Sequence, residues 1–570
     1  MLIIAAHELN LTLVRTFDAE GCSVRAACLV LIVFLASSSF AKSKKTEIGS
    51  SEAKRGGTLN LNLPAEPETL NPITYVDAYA GLVELWVMES LLRINPETYE
   101  FKPGLAEKYE TSKDGMTFTF HLRKGATFSD GQPITSADVK FTFECYNDPR
   151  FKAPHRRAYV EDIARVEAPD AQTVRVVMKR KYYKSLEMLG AQIRILPKHI
   201  YEDPTKPLSK VMVGSGPYKI GNYDHGKNLE LVRNDNWWAY KTSTPETANQ
   251  GKFDKVVFRF IKDDNLQLEV LKKHELDVLD YVEPEVFVQK AVGDPFGKQI
   301  INHKEENQDP VYKKFNFIAW NLRNPIFKDR DTRVALAELM NRQMMNEKFR
   351  FNMSDLAAGP SWRNEQTIDL KVKPLPFDPA AAAELLKKAG WEDKEKKGVL
   401  QKVIDGKPVE FRFSLVFALK DLEKYFTTYK EDLKKAGIDM EVKFVEWATF
   451  VKLLNEQKFD AAALAWSMGS LEPDYKQIFH SESAGPGGSN FGGYANPEVD
   501  KLIDQVRVEM NAKKRKPMWQ KIFRLIAEDQ PYNFMFATKY DLYSAWEDVG
   551  MSKGTLKFDR GEYWWWRMQK

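Results

Sequence analysis

Cysteine is scarce in this chain. Only three of its 570 residues are cysteines, and Cys22 and Cys28 lie before or within an apolar N-terminal run, which leaves Cys145 alone beyond it. A disulfide framework, a CxxC pair and a cysteine-based zinc site each need at least two cysteines. The sequence beyond the run therefore excludes all three.

An excess of charge of one sign is also lacking. The chain has 84 lysines and arginines against 80 acidic residues, a net charge of +4, and the two signs are interspersed. A nucleic-acid-binding protein usually carries a basic stripe or an aromatic-basic motif, and neither stands out here. The composition predicts no nucleic-acid partner.

Catalytic motifs are missing or incomplete. The chain contains no HExxH and no GxSxG, and GNYDHGKN at 221–228 ends in Asn228 where a phosphate loop needs Ser or Thr. Strand-like LELVRN follows that stretch instead of a helix, which predicts a hairpin turn. The sequence thus predicts no enzyme activity, no cofactor and no metal. Glu472 and Asp474 leave open a glycosidase carboxylate pair, which their separation in space would decide.

The N-terminal run indicates export. Arg25, the apolar AACLVLIVFLA at 26–36, SSSFA and then KSKK predict a signal peptide over 1–41, followed by a flexible segment at 42–57. The run is short for a membrane span, although an uncleaved anchor is the alternative. No cysteine follows it where a lipoprotein anchor would need one. We therefore predict a periplasmic protein that is not a lipoprotein.

From residue 56 onward, strand patterns alternate with helix patterns, as in mixed α/β domains. A length of 570 residues is enough for two or three lobes. Thr135 or Ser136 is predicted to start a helix. Predicted strands are MTFTFHL, TVRVVMKR, DKVVFRFI, VEFRFSLVF and MEVKFVEW, and predicted helices are 330–347, 379–389, 422–436, 497–510 and 515–528.

Several stretches resemble one protein family, in the same order along the chain. They are GGTLNLNLPAEPETLNP at 56–72, FKPGLAEKYETSKDGMTFTFHLRKGATFSDGQPITSADVKFTFE at 101–144, GSGPYKIGNYDHGKNLELVRNDNWW at 214–238, FNFIAWNLRNPIFKDRDTRVALAELMNR at 315–342, KKAGIDMEVKFVEWATFVKLL at 434–454 and NFGGYANPEVDKLI at 490–503. Together they resemble the solute-binding proteins of bacterial ABC importers, in the dipeptide and oligopeptide class, family 5. The resemblance covers essentially the whole chain after the N-terminal segment.

The resemblance implies an α/β, bilobed periplasmic-binding-protein fold, a Venus flytrap with an extra subdomain and a hinge between two lobes. Lobe I would be discontinuous, built from residues 56–94, 204–308 and 538–570, with the extra subdomain at 95–203. Lobe II would comprise residues 309–537. Ligand would be enclosed between the two lobes.

The resemblance also implies a function. The protein would capture oligopeptides in the periplasm as a monomer and deliver them to an ABC permease and its ATPase. A sugar, opine, metal chelate or modified peptide is the alternative ligand within the family. An exported hydrolase and a chaperone-like binding protein are the alternatives from other classes.

The resemblance also indicates which residues of this chain would bind the ligand, because they stand at positions that match the family's binding residues. Ala465, Trp466 and Ser467, in AAALAWSMGSLEPDY, match a strand that pairs with extended peptide and supplies a pocket tryptophan, and Trp447 matches a second cleft tryptophan. Core packing is the ordinary alternative for both rings. Tyr75 falls in a segment that would face the cleft from the other lobe.

Gly469 departs from the family pattern. Peptide-binding relatives have an aspartate there, which pairs with the ligand's terminal ammonium, and glycine offers no charge. Either Glu472 or Asp474 reaches in instead, or the ligand lacks a free α-ammonium at this point.

Two basic clusters and one aromatic cluster leave further alternatives open. KRKYYK at 179–184 and KKRK at 513–516 are typical of solvated faces, with permease or lipid docking as the alternative. WWWR at 564–567 is expected to pack beside the closing strand of the first lobe, with a carbohydrate platform as the alternative.

Overall fold

The computed structural model describes residues 48–552 and 564–568, except residues 76, 243, 245–246, 307–313, 361–366, 468–471 and 487. The predicted signal peptide at 1–41 and residues 42–47 lie outside the described residues. Within the described residues, no helix is both long enough and apolar enough to cross a membrane.

Twelve strands of the described residues precede residues 307–313 in the chain, and eleven follow them. The first group is β1 (Thr58–Leu63), β2 (Leu92–Ile94), β3 (Phe101–Pro103), β4 (Ala106–Thr111), β5 (Thr117–Leu122), β6 (Ile163–Asp170), β7 (Thr173–Met178), β8 (Tyr218–Asp224), β9 (Asn228–Arg233), β10 (Lys255–Phe260), β11 (Val278–Leu279) and β12 (Ile300–Glu306). The second group is β13 (Lys314–Trp320), β14 (Ser354–Leu356), β15 (Gln401–Ile404), β16 (Lys407–Glu410), β17 (Arg412–Phe417), β18 (Asp439–Phe444), β19 (Ala461–Ser467), β20 (Tyr532–Thr538), β21 (Tyr540–Trp546), β22 (Val549–Gly550) and β23 (Trp566–Arg567).

The α-helices are α1 (Ala78–Val87), α2 (Ser136–Cys145), α3 (Pro154–Val160), α4 (Ser185–Glu187), α5 (Lys198–Tyr201), α6 (Trp238–Lys241), α7 (Asp264–Lys272), α8 (Pro284–Gln289), α9 (Arg330–Glu338), α10 (Arg342–Arg350), α11 (Pro379–Lys388), α12 (Glu423–Lys435), α13 (Trp447–Asn455), α14 (Lys476–Phe479), α15 (Pro497–Val508) and α16 (Ala512–Asp529). Together with the strands they form the mixed α/β architecture that the sequence predicts.

Three sheets organise the molecule. A seven-stranded sheet has the order β12-β21-β11-β1-β10-β9-β8, a six-stranded sheet has the order β14-β20-β13-β19-β17-β18, and a four-stranded antiparallel sheet has the order β4-β5-β7-β6. In β1 the alternating sequence TLNLNL buries Leu59, Leu61 and Leu63. A strand that repeats every two residues places these leucines on one face, where they join a hydrophobic core.

The chain changes sheets twice in the region where the hinge is expected. It leaves the seven-stranded sheet after β12, and residues 307–313, which follow, lie outside the described residues. It returns directly from β20 to β21, with Lys539 between the two strands. The boundaries of the two lobes remain a prediction.

Local signals in the sequence are confirmed in several places. Thr135 is the N-cap of α2 and forms a capping box with Asp138. The stretch at 221–228 forms the antiparallel β8–β9 hairpin, whose Gly226 has a φ of +73°. The predicted helix at 330–347 is two helices, because Asn341 caps α10 by accepting a hydrogen bond from the amide of Met344.

Candidate ligand-binding site

Strand β19 carries the residues that the sequence predicts for the site. It pairs with β13 in antiparallel register along its whole length, from Ala461 opposite Trp320 to Ser467 opposite Lys314. Ala461 to Ala463 are buried, whereas Ala465 and Trp466 are half-buried. The strand therefore starts in the core of the six-stranded sheet and ends close to the surface.

The other neighbour of β19 in the sheet is β17. These two parallel strands are in register at Ala461 and Ala462, and within the described residues their ladder does not extend beyond Ala462. The second half of β19 therefore carries Ala465 and Trp466 past the ladder with β17.

Trp466 belongs to an aromatic cluster. Its ring packs on Phe317, with centroids 6.2 Å apart and an interplanar angle of 23°, and on Phe491 at 6.0 Å. Phe317 stacks in turn on Tyr532 at 4.2 Å. These contacts fix one side of a half-buried ring, so Trp466 combines core packing with a partly exposed aromatic surface.

Trp447 lies outside the core. It is the first residue of α13, and 61% of it is exposed, while its neighbour Phe450 is buried. The two rings are 5.8 Å apart. Ordinary core packing therefore does not explain Trp447, and its contact with a ligand stays a prediction.

Gly469 lies outside the described residues, as do the flanking residues 468 and 470–471. The side chain of Ser467 is likewise outside what the structure describes. The predicted roles of both positions stay predictions.

Glu472 and Asp474 are both engaged by arginines. The Glu472 carboxylate accepts hydrogen bonds from Arg515 Nε at 2.9 Å and Nη2 at 2.6 Å, and also from Trp519 Nε1 at 3.3 Å. Asp474 Oδ2 accepts from Arg507 Nη1 at 2.6 Å. We name residues 472–474 the acidic loop. Its carboxylates have protein partners, which disfavours both the glycosidase pair and the ammonium-binding role.

A second segment, Tyr182–Lys184, holds the same loop. Tyr182 OH donates to Asp474 Oδ2 at 2.7 Å, Tyr183 OH donates to the carbonyl of Pro473 at 2.5 Å, and Lys184 Nζ donates to the carbonyl of Glu472 at 2.8 Å. Burial raises the pKa of the Tyr182 phenol, and the Asp474 charge raises it further. The phenol therefore stays protonated and remains a donor.

The prediction of solvated faces is wrong for part of both basic clusters. Lys184, from KRKYYK, is 7% exposed, and Arg515, from KKRK, is 6% exposed. The Arg515 guanidinium also lies 4.4 Å from the ring centroid of Tyr183. Both clusters thus contribute side chains to one assembly around the acidic loop. The two clusters are more than 300 residues apart in the chain, so the sequence alone does not indicate that they meet.

Tyr75 has internal partners. It is 9% exposed, and its OH donates to Glu84 Oε2 at 2.7 Å. The Arg156 guanidinium lies 4.6 Å from its ring centroid and pairs with Glu84 Oε1 at 3.8 Å. Burial, with the Glu84 charge, raises the pKa of Tyr75. These contacts stabilise the fold around α1, and a ligand contact of Tyr75 stays a prediction.

The C-terminal aromatic cluster packs as expected. Trp564 and Trp565 are buried, and β23 pairs with β22. Arg567 forms ion pairs with Asp277 at 2.9 Å and Asp548 at 3.0 Å. His274 joins the same two carboxylates in a cluster with metal-ligand spacing, but the guanidinium already provides their counter-charge.

Comparison with known proteins shows which family this chain is similar to. Residues 100–486 match the model of the bacterial extracellular solute-binding proteins, family 5 Middle. The oligopeptide-binding protein AppA of Bacillus subtilis (strain 168) is 28% identical over 527 residues, which cover 89% of this chain and 91% of AppA. The oligopeptide-binding protein OppA of the same strain is 24% identical over 95% of this chain and 97% of OppA.

Solved structures agree in architecture. The structure of Bacillus subtilis AppA in complex with a nonapeptide superposes with a TM-score of 0.77 at 26% identity, covering 91% of this chain and 100% of AppA. Campylobacter jejuni NikZ in complex with Ni(L-His) gives a TM-score of 0.73 at 22% identity, over 90% of this chain and 99% of NikZ. The fold is that of the periplasmic solute-binding proteins, as the sequence predicts. The chain belongs to family 5 of the bacterial extracellular solute-binding proteins, the binding components of ABC importers.

Proposed function

We propose that this protein captures oligopeptides in the periplasm and delivers them to an ABC permease driven by its ATPase. The observation that carries the proposal is the half-buried ring of Trp466 at the end of β19, past the ladder of that strand with β17. An extended peptide that lies along a strand is held through its main chain, whatever its side chains are.

The similarity to AppA, whose solved structure contains a nonapeptide, supports the same ligand class. Exposed Trp447 is a second aromatic available to ligand side chains. The chain would be exported through the signal peptide at 1–41 and act as a monomer. Ligand would lie between the lobes formed by residues 56–94 with 204–308 and 538–570, and by residues 309–537.

The recognition of a terminal ammonium would differ from that in peptide-binding relatives. Gly469 carries no charge, and the carboxylates of Glu472 and Asp474 are engaged by Arg515 and Arg507. A buried ammonium without a counter-charge is costly. The terminus of the ligand would therefore stay in contact with water, and we expect peptides with a free and with an acetylated N-terminus to bind with similar affinity.

A non-peptide solute is the second candidate function, favoured by the same missing carboxylate. Within this fold, NikZ is solved with Ni(L-His), and AgaA from A.tumefacien R10 is solved with agropinic acid. Such a ligand would use the aromatic surface without a peptide ladder.

Native mass spectrometry of the protein purified from a periplasmic extract tests the proposal. Ligand released by denaturation is then identified. We expect a series of short peptides, and isothermal titration with one of them, free and N-acetylated, should give dissociation constants within about threefold, which is less than one charged hydrogen bond is worth. A single non-peptide mass would support the second candidate instead. A strong preference for the free terminus would show that a carboxylate does recognise the ammonium.

A further inference from the structure

A cavity of about 440 Å³ lies beside the seven-stranded sheet, away from β19. Its walls come from β1, β10, α1, β2 and the C-terminal tryptophans, and none of the residues predicted for the ligand site lines it. This volume falls within the range of pockets that hold small molecules.

Most of the cavity wall is apolar. The largest apolar side chains that line it are Leu63, Leu82, Leu85, Trp86, Phe258 and Trp565. Leu82 and Leu85 stand on one face of α1 and are 41% and 40% exposed, although other residues of this helix are fully buried. Exposed leucines beside a cavity favour an apolar occupant, because covering them removes apolar surface from water.

Two arginines line the cavity, Arg93 and Arg194, and they differ in their partners. Arg93 is neutralised by Glu89, which also accepts a hydrogen bond from Trp238 Nε1 at 2.9 Å. Arg194 donates only to Ser90 Oγ at 2.8 Å and to the carbonyl of Ala191 at 3.3 Å, and it has no carboxylate partner among the described residues. Asp280 also lines the cavity, but within the described residues it forms no ion pair with Arg194, so this guanidinium lacks the ion pair that Arg93 has.

We propose that this cavity is a second binding site, which takes a small molecule with an aliphatic body and a single carboxylate. The carboxylate pairs with Arg194, which offers two parallel N–H donors to an anion of that shape. The aliphatic body covers Leu82 and Leu85. The occupant is thus an apolar acid bound independently of the solute at β19.

Isothermal titration with decanoate tests the site, with 1-decanol as the uncharged probe, on protein freed of co-purified ligand. Arg194→Gln should weaken decanoate binding about tenfold, the value of one charge-assisted contact, and leave 1-decanol unchanged. Arg524→Gln is the matched control, because Arg524 lies in α16 outside the cavity and already pairs with Asp369.

Filling the cavity gives a second readout, which does not depend on the stability of the Arg194 variant. Leu85→Phe should abolish binding of both probes, whereas Leu266→Phe, at an exposed position of α7 outside the cavity, should not affect either one. Trp466→Ala should leave decanoate binding unchanged, which separates this site from the proposed peptide site. Binding that ignores both cavity variants, or no decanoate binding by the wild-type protein, would overturn the proposal.

Discussion

Strand β19 and the acidic loop, which only residues 468–471 separate in the sequence, differ in the contacts that their residues make. Before this gap, β19 continues past its ladder with β17 and carries the half-buried ring of Trp466. After it, the acidic loop is held by Arg507, Arg515 and the Tyr182–Lys184 segment. A half-buried aromatic ring near the surface can contact a ligand or water, whereas a partly buried carboxylate needs a counter-charge within the fold. We propose the first segment for ligand binding, and the contacts of the second hold the structure together.

The largest effect is expected from the acidic loop. Arg515→Met leaves Glu472 without its bidentate partner, in a pair whose side chains are 8% and 24% exposed. We expect the free energy of unfolding to fall by about 3 kcal/mol, as when one partner of a buried ion pair is removed. Urea unfolding followed by circular dichroism measures this loss.

Arg524→Met is the control, since its side chain is 43% exposed in the pair with Asp369. A pair whose cation is this exposed contributes about 0–1 kcal/mol, although the Asp369 side chain is only 14% exposed. Equal losses in the two variants would show that burial of the arginine does not distinguish the acidic loop from the Arg524 pair.

The end of β19 should affect ligand affinity more than stability. Trp466→Ala removes the half-buried aromatic surface there, and we expect the affinity for peptide to fall about 10-fold to 100-fold, as when a central interface aromatic is truncated. Isothermal titration with a co-purified peptide measures it, with circular dichroism as the check on folding. Tyr182→Phe, which removes only the hydrogen bond to Asp474, should bind peptide like the wild type. If both variants lose affinity equally, the two segments are one functional unit.

The smallest effect is expected at an exposed charge contact between α8 and α12. Lys424 Nζ lies 2.6 Å from Glu285 Oε2, and this hydrogen bond lowers the pKa of Glu285. A lowered pKa means that the contact stabilises the fold above the ordinary pKa of the carboxyl and is lost as the pH falls through the folded value. The side chains are 36% and 47% exposed, so the contribution is below about 1 kcal/mol.

Urea unfolding between about pH 5 and pH 3, where carboxyls titrate, measures this contribution in Lys424→Met and in the wild type. The difference between the two proteins should shrink as the pH falls. Lys298→Met, in a more exposed pair with Asp294, is the control. A constant difference would show that Lys424 acts through packing and not through the charge of Glu285.

Much of the local structure was predictable from the sequence. The sequence predicts a helix start at Thr135 or Ser136 and a hairpin for the stretch that resembles a phosphate loop, because caps and turns depend on residues a few positions apart. The strand at 440–447 was predicted too long, since α13 already begins at Trp447. Helix and strand periods cannot be distinguished over the few residues where one element gives way to another.

By itself, the sequence determined the mixed α/β class, the absence of a cysteine framework and the resemblance to family 5, all of which rest on local patterns and their order. Tertiary structure alone decided that the ladder between β17 and β19 is confined, within the described residues, to Ala461 and Ala462. It also decided that Glu472 and Asp474 are neutralised, and that residues 182–184 and 515 meet at one loop. Those outcomes depend on contacts between residues far apart in the chain. A charged side chain that is buried in the fold requires a partner of opposite charge. The residues next to it in the sequence do not show which distant residue that partner is.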